Sequence, residues 1–132
     1  MNRLLVACCL LLALAGCGDG LTGPSEITTQ EITVGTGATA ALGDVVTVHY
    51  ILRLDDGTFI ESSYDRGQPI QFQIGVGATI PGFEQGIVGM RVGGKRRVDV
   101  PPRLGYGSQP NGQIPGNSTL RFEIELVSIL GK

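Results

Sequence analysis

Ten consecutive residues, Val45 to Leu54, alternate cleanly, with Val46, Val48, Tyr50, Leu52 and Leu54 on one face and Thr47, His49 and Arg53 among those on the other. A period of two over that length predicts a strand in a half-buried sheet. Asp55-Asp56-Gly57 follows as a hairpin turn, and a second extended segment starts at Thr58. Ile70, Phe72 and Ile74 alternate in a third strand, and Gly75 to Gly77 releases the chain into a segment opened by Pro81. There Phe83, Ile87 and Met90 fall at helical spacing, predicting one short helix. Beyond a Gly93-Gly94 turn, Arg96, Val98 and Val100 alternate, and Leu120, Phe122, Ile124 and Leu126 mark a last long strand. Short turns and a single helix leave no crossovers for a parallel sheet, so the expected fold is α+β, with an antiparallel sheet covering the helix.

The first thirty residues carry a different signal. Met-Asn-Arg precedes an uncharged apolar run from Leu4, which ends in Leu14-Ala15-Gly16-Cys17, the pattern of a bacterial lipoprotein export signal. The run falls short of the ~20 apolar residues of a spanning helix. Residues 1–16 are therefore expected to be removed, with Cys17 lipidated and residues 17–29 serving as a flexible tether for a domain over 30–132. Cleavage would remove Cys8 and Cys9, leave Cys17 as the only thiol and bring the net charge to −3. Lipid on Cys17 would tie the protein to a membrane, and Gly18 in place of aspartate after it points to the bacterial outer membrane, facing the periplasm. Lys95-Arg96-Arg97 is the only basic run; on a strand its side chains alternate between faces, so a solvated edge is expected and no nucleic acid partner.

Most catalytic chemistries lack their residues here. His49 is the only histidine, so no histidine- or cysteine-based metal site is expected, and a Ser-His-Asp arrangement would have to recruit it from mid-strand. No Gly-x-Ser-x-Gly elbow is present, and the glycines after Gly75-Val76-Gly77 do not have dinucleotide-loop spacing. No cofactor is implied.

Five motifs remain, in this order: Val48-His49-Tyr50, Ile80-Pro81-Gly82-Phe83-Glu84, Met90-Arg91-Val92-Gly93-Gly94-Lys95-Arg96, Val98-Asp-Val-Pro-Pro-Arg-Leu-Gly-Tyr-Gly107 and Leu120-Arg121-Phe122-Glu123-Ile124-Glu125-Leu126. With them the chain, from about Gly43 onward, resembles the FKBP-type peptidyl-prolyl cis-trans isomerases. The resemblance implies a curved antiparallel sheet wrapped on one short helix, with an apolar pocket between them that acts on proline-containing polypeptides and takes macrocyclic inhibitors of the rapamycin type. It assigns Phe83 to the pocket floor, the Ile80 backbone N–H and the Tyr106 hydroxyl to ligand carbonyls, and Tyr50 and Phe122 to aromatic walls. Ile70, Thr79 and Ile114 match peripheral positions.

Two features depart from the family pattern. Ile60-Glu61 stands where Phe-Asp is common, with Phe59 one place early and expected on the opposite face. The loop from Gly107 to Leu120 is also one residue shorter than in the commonest small members. Ile60 as a smaller wall, and Glu61 as a longer acid orienting Tyr106 or the amide, lead to an expectation of weakened catalysis. The alternative function is a polypeptide-binding, chaperone-like module with the same pocket and little or no isomerase activity. Oligomeric state is left open.

Overall fold

The computed structural model describes residues 25–132. The expected export signal, Cys17 and most of the expected tether lie outside them. Six strands and one helix follow in the order β1 (Thr28–Thr33), β2 (Val45–Leu54), β3 (Phe59–Ser62), β4 (Ile70–Gln73), α1 (Pro81–Ile87), β5 (Lys95–Val100) and β6 (Leu120–Ile129). They form one open antiparallel sheet in the order β1-β5-β6-β2-β3, with β4 also pairing with β2. The two short strands share one edge of β2: β4 pairs with residues 45–48 and β3 with residues 51–53.

The alternation in β2 is fully realised, with Val46, Val48, Tyr50, Leu52 and Leu54 buried on the concave face. Val98, Val100, Leu120, Phe122, Ile124 and Leu126 complete that face, and α1 lies across it with Phe83 and Ile87 turned inward. Met90, expected on the same helical face, is buried too, although α1 stops at Ile87 and Gly89 turns the chain away with φ 88°. Pro81 opens the helix, where its missing N–H is no loss. The helix sits unusually near β5: a Cβ added at Gly82 would lie 2.3 Å from Val100 Cγ1, and one at Gly86 2.7 Å from both γ-methyls of Val98.

Two expectations require correction. A strand, β1, begins at Thr28, inside the stretch read as tether; all six of its residues are exposed, so no apolar period announces it. It is held instead by its backbone ladder with β5 and by an ion pair between Glu31 and Arg96. The basic run is consequently not a solvated edge, because β5 lies between β1 and β6. Arg96 donates to the carbonyls of Gly86 (2.9 Å) and Val88 (3.1 Å), placing a cation on the orphan carbonyls at the end of α1. Lys95 pairs with Glu125 at 3.4 Å and Arg97 with Asp99 at 3.5 Å, so each cation of the run has an acidic neighbour.

His49 belongs to the opposite, convex face. Its ring stacks on Tyr64 at 4.3 Å, and its Nδ1 lies 2.9 Å from Ser63 Oγ. Ser63 Oγ also accepts from the Tyr50 N–H at 2.8 Å and donates to the Tyr50 carbonyl at 3.2 Å, so the histidine braces the end of the β2–β3 hairpin. Burial, reinforced by its hydrogen bond to Glu125, pushes the Tyr64 hydroxyl up to about 12, so it remains a neutral donor at any physiological pH.

Candidate active site

A cavity of about 200 Å³ opens between the concave face of the sheet, the N-terminal turn of α1 and the loop that follows β5. Phe83 forms its floor because Pro81 starts the helix two residues earlier and aims the first turn at the sheet. The ring is 3% exposed, so Phe83 is core and pocket at once. Its centroid lies 4.9 Å from that of Phe122, 5.6 Å from Tyr50 and 5.7 Å from Phe72, in edge and tilted arrangements that suit aromatic quadrupoles.

Tyr50 and Phe122 reach the cavity from neighbouring strands, β2 and β6, and stand 6.1 Å apart. Ile70, Thr79 and Ile80 line it from the β4 side. Ile80 caps α1 in extended conformation, its carbonyl accepting from the N–H groups of Phe83 (3.1 Å) and Glu84 (3.3 Å). Its own N–H precedes the helical ladder, which leaves it free of intrahelical bonding. Tyr106 stands at the rim, 38% exposed. The glycines beside it serve different ends. Gly107 adopts φ 63°, a left-handed conformation that glycine takes without strain, and its N–H donates to the Pro102 carbonyl at 2.8 Å, whereas a Cβ at Gly105 would press on Leu120 at 3.3 Å.

Eight of the candidate residues therefore share one cavity: Tyr50, Glu61, Ile70, Thr79, Ile80, Phe83, Tyr106 and Phe122. Ile60 and Ile114 line an adjoining one of about 270 Å³, which shares Glu61 and Tyr106 with the first. The cause is a bulge in β3: Leu52 pairs with Glu61 and Arg53 with Phe59, leaving Ile60 as the extra residue. Phe59 is 47% exposed on the far face, as the one-residue shift predicts.

Glu61 does not orient Tyr106. Its Oε1 accepts from the Tyr50 hydroxyl at 2.9 Å, and its Oε2 is 3.5 Å from the Arg66 guanidinium, which itself donates to the Tyr50 hydroxyl at 3.1 Å. Burial raises the Tyr50 pKa, with the Arg66 hydrogen bond opposing and Glu61 reinforcing the shift, so the phenol is a fixed neutral donor. Arg66 was not legible as a site residue, since nothing local in Asp65-Arg66-Gly67 marks it. Leu52 and Ala78 also line the cavity unannounced; the strand pattern marks Leu52 only as core. Glu84 is a further surprise, an acid 8% exposed whose carboxylate accepts from the N–H groups of Gly75 (3.0 Å) and Thr79 (3.3 Å). It ties the loop carrying Thr79 and Ile80 to the helix carrying Phe83.

Chemically, the cavity offers aromatic and branched apolar walls, the rim hydroxyl of Tyr106, the backbone donor of Ile80, and the Glu61 carboxylate and Thr79 hydroxyl in its lining. Among the described residues no group of histidine, cysteine and acidic side chains is arranged to hold a metal ion.

Residues 37–127 match the FKBP-type peptidyl-prolyl cis-trans isomerase family. An FK506-binding protein 2 of Yarrowia lipolytica is 57% identical over 91 residues, covering 68% of this chain and 63% of that protein, so the match spans less than two thirds of that relative's length. An FK506-binding protein 2 of Dictyostelium discoideum is 43% identical over 134 residues, covering 95% of this chain and 98% of the relative. Among solved structures, AtFKBP13 superposes with a TM-score of 0.74 at 38% identity, covering 80% of this chain and 94% of that one. FkpA from Escherichia coli gives 0.72 at 36% identity, covering 78% of this chain and 47% of the other. The family match over residues 37–127 and the shared fold agree, and the chain belongs to the FKBP-type peptidyl-prolyl cis-trans isomerase family.

Proposed function

We propose that this chain catalyses cis–trans isomerisation of X–Pro bonds in exported polypeptides, held at a bacterial membrane by lipid on Cys17 and facing the periplasm. The carrying observation is the cavity over Phe83, with Tyr106 at its rim. Amide resonance opposes rotation by ~18–20 kcal/mol, and the uncatalysed X–Pro change takes tens of seconds or longer. Twisting the bond removes the resonance and much of the dipole that water solvates, so a dry apolar cavity favours the twisted amide over the planar one. The Tyr106 hydroxyl and the Ile80 N–H donate to carbonyl oxygens flanking the proline and hold the chain while the bond turns. Tyr50, fixed by Glu61 and Arg66, keeps its wall upright.

The test is a proline-limited peptide assay on the chain from Gly18, which retains β1; a start at Gln30 would sever that strand. Acceleration of isomerisation is expected, with inhibition by rapamycin-type macrocycles. Tyr106→Phe should lower kcat/KM by roughly fivefold, the equivalent of about 1 kcal/mol for one hydrogen bond. Proline-peptide binding without acceleration would instead establish the chaperone-like reading.

Anchoring is a separate expectation. No described helix is long and apolar enough to cross a membrane. Leu14-Ala15-Gly16-Cys17 supports lipidation of the cysteine, and two or more acyl chains hold a protein firmly where one does so marginally. Cys17→Ser should release the protein from membranes or leave its precursor uncleaved. An intact mass showing unmodified Cys17 in the membrane-bound wild type would overturn it.

A further inference from the structure

We infer that Leu52 is the specificity-determining wall of the cavity, limiting the size of the ring it admits. The inference rests on the isomerase reading above and adds to it a residue that the strand pattern marks only as core.

Three aromatic surfaces of the cavity are locked against one another. Phe83 contacts both Tyr50 and Phe122, at centroid distances of 5.6 and 4.9 Å, and the Tyr50 hydroxyl is held by Glu61 and Arg66. None can move aside without disturbing the others. Leu52 is the aliphatic residue that the middle of the sheet contributes to the same cavity, and it is 2% exposed. Its backbone is fixed on both sides, opposite Phe122 in β6 and opposite Glu61 in β3. With strands on either side, truncation at position 52 leaves space that the backbone cannot close, and the space opens into the cavity. Ile60 cannot play this part, because the β3 bulge sends it to the adjoining cavity with Tyr106 and Ile114. Of Leu52 and Ile60, the one that lines the cavity over Phe83 is therefore Leu52 on β2, and the bulged segment of β3 shapes the neighbouring space instead.

The measurement is a ratio, which loss of folded protein does not move. For the full-length protein, kcat/KM is determined on two peptides that differ only in the imino acid, one with proline and one with the homologue whose ring has one more methylene. Leu52→Val and Leu52→Ala should shift the ratio toward the larger ring, by about tenfold for the alanine variant, the scale on which an apolar pocket senses one methylene. Leu52→Val provides the reading if the alanine variant fails to fold. Ile60→Val should leave the ratio where it is. An unchanged ratio in both Leu52 variants, or an equal shift in Ile60→Val, would overturn the assignment. If the wild type accelerates neither peptide, the isomerase reading fails, and competitive binding of the two peptides gives the same ratio for Leu52. Absence of both activity and binding removes the assignment together with that reading.

Discussion

Phe83→Ala should abolish most of the activity and destabilise the domain by about 3–5 kcal/mol, the range for removing a buried aromatic side chain. Domains of this size are stable by only ~5–15 kcal/mol, so the alanine variant alone would confuse a lost pocket with a lost fold. Phe83→Leu separates the two. Leucine retains much of the apolar volume above Ile87 and beside Phe122 but presents no flat ring to the substrate. It should fold, shown by a cooperative denaturant transition, yet lose about tenfold or more in kcat/KM on an X–Pro peptide, on the scale by which an apolar pocket responds to small changes of shape. Phe83→Trp keeps a flat floor and should retain activity. A folded Phe83→Leu protein with wild-type efficiency would show that the proline ring binds elsewhere.

What was legible beforehand follows the physics of burial. β2, β5 and β6 bury one face each, so their apolar residues recur every second position; α1 could be recognised from Pro81 and three apolar residues at helical spacing. β1 buries none of its side chains, and only pairing with a strand more than 60 residues away makes it a strand at all. The site divides in the same way. Its apolar members occupy positions marked by strand alternation, proline or glycine, and the family resemblance could assign them roles. Its polar supports were hidden because their partners are distant in sequence: Arg66 meets Tyr50 across a hairpin, and Glu61, paired with Leu52, shares a face with Tyr50 and reaches it instead of Tyr106. Arg96 is hidden for a related reason. Its role depends on the end of α1 and on β1, and neither is visible in Lys95-Arg96-Arg97.

Gly86→Ala should destabilise the protein, contrary to the rule that alanine in a helix is favoured over glycine by ~1 kcal/mol. The reason is the near contact of α1 with β5. A Cβ at Gly86 would meet both γ-methyls of Val98 at 2.7 Å and its Cβ at 3.2 Å, and a Cβ at Gly82 would meet Val100 at 2.3, 2.9 and 3.1 Å. Valine is branched at Cβ, so rotating it away from one methyl brings in the other. Overpacking of a filled core costs about 1–3 kcal/mol, which outweighs the helical preference at either site, and the double variant should suffer most because positions 82 and 86 lie on the same face of α1. The only relief is to lift the helix off the sheet. That would carry Ile80 and Phe83 with it, so activity should fall along with stability. Val98→Ala supplies the decisive comparison: alone it leaves a cavity and destabilises, but combined with Gly86→Ala the new methyl fills the space vacated by the old ones. Measured denaturation midpoints should therefore show the pair to be markedly less destabilising than the sum of the single changes. Additivity, or a stabilising Gly86→Ala, would mean that α1 can shift freely on β5 and that the two glycines do not hold the pocket floor in place.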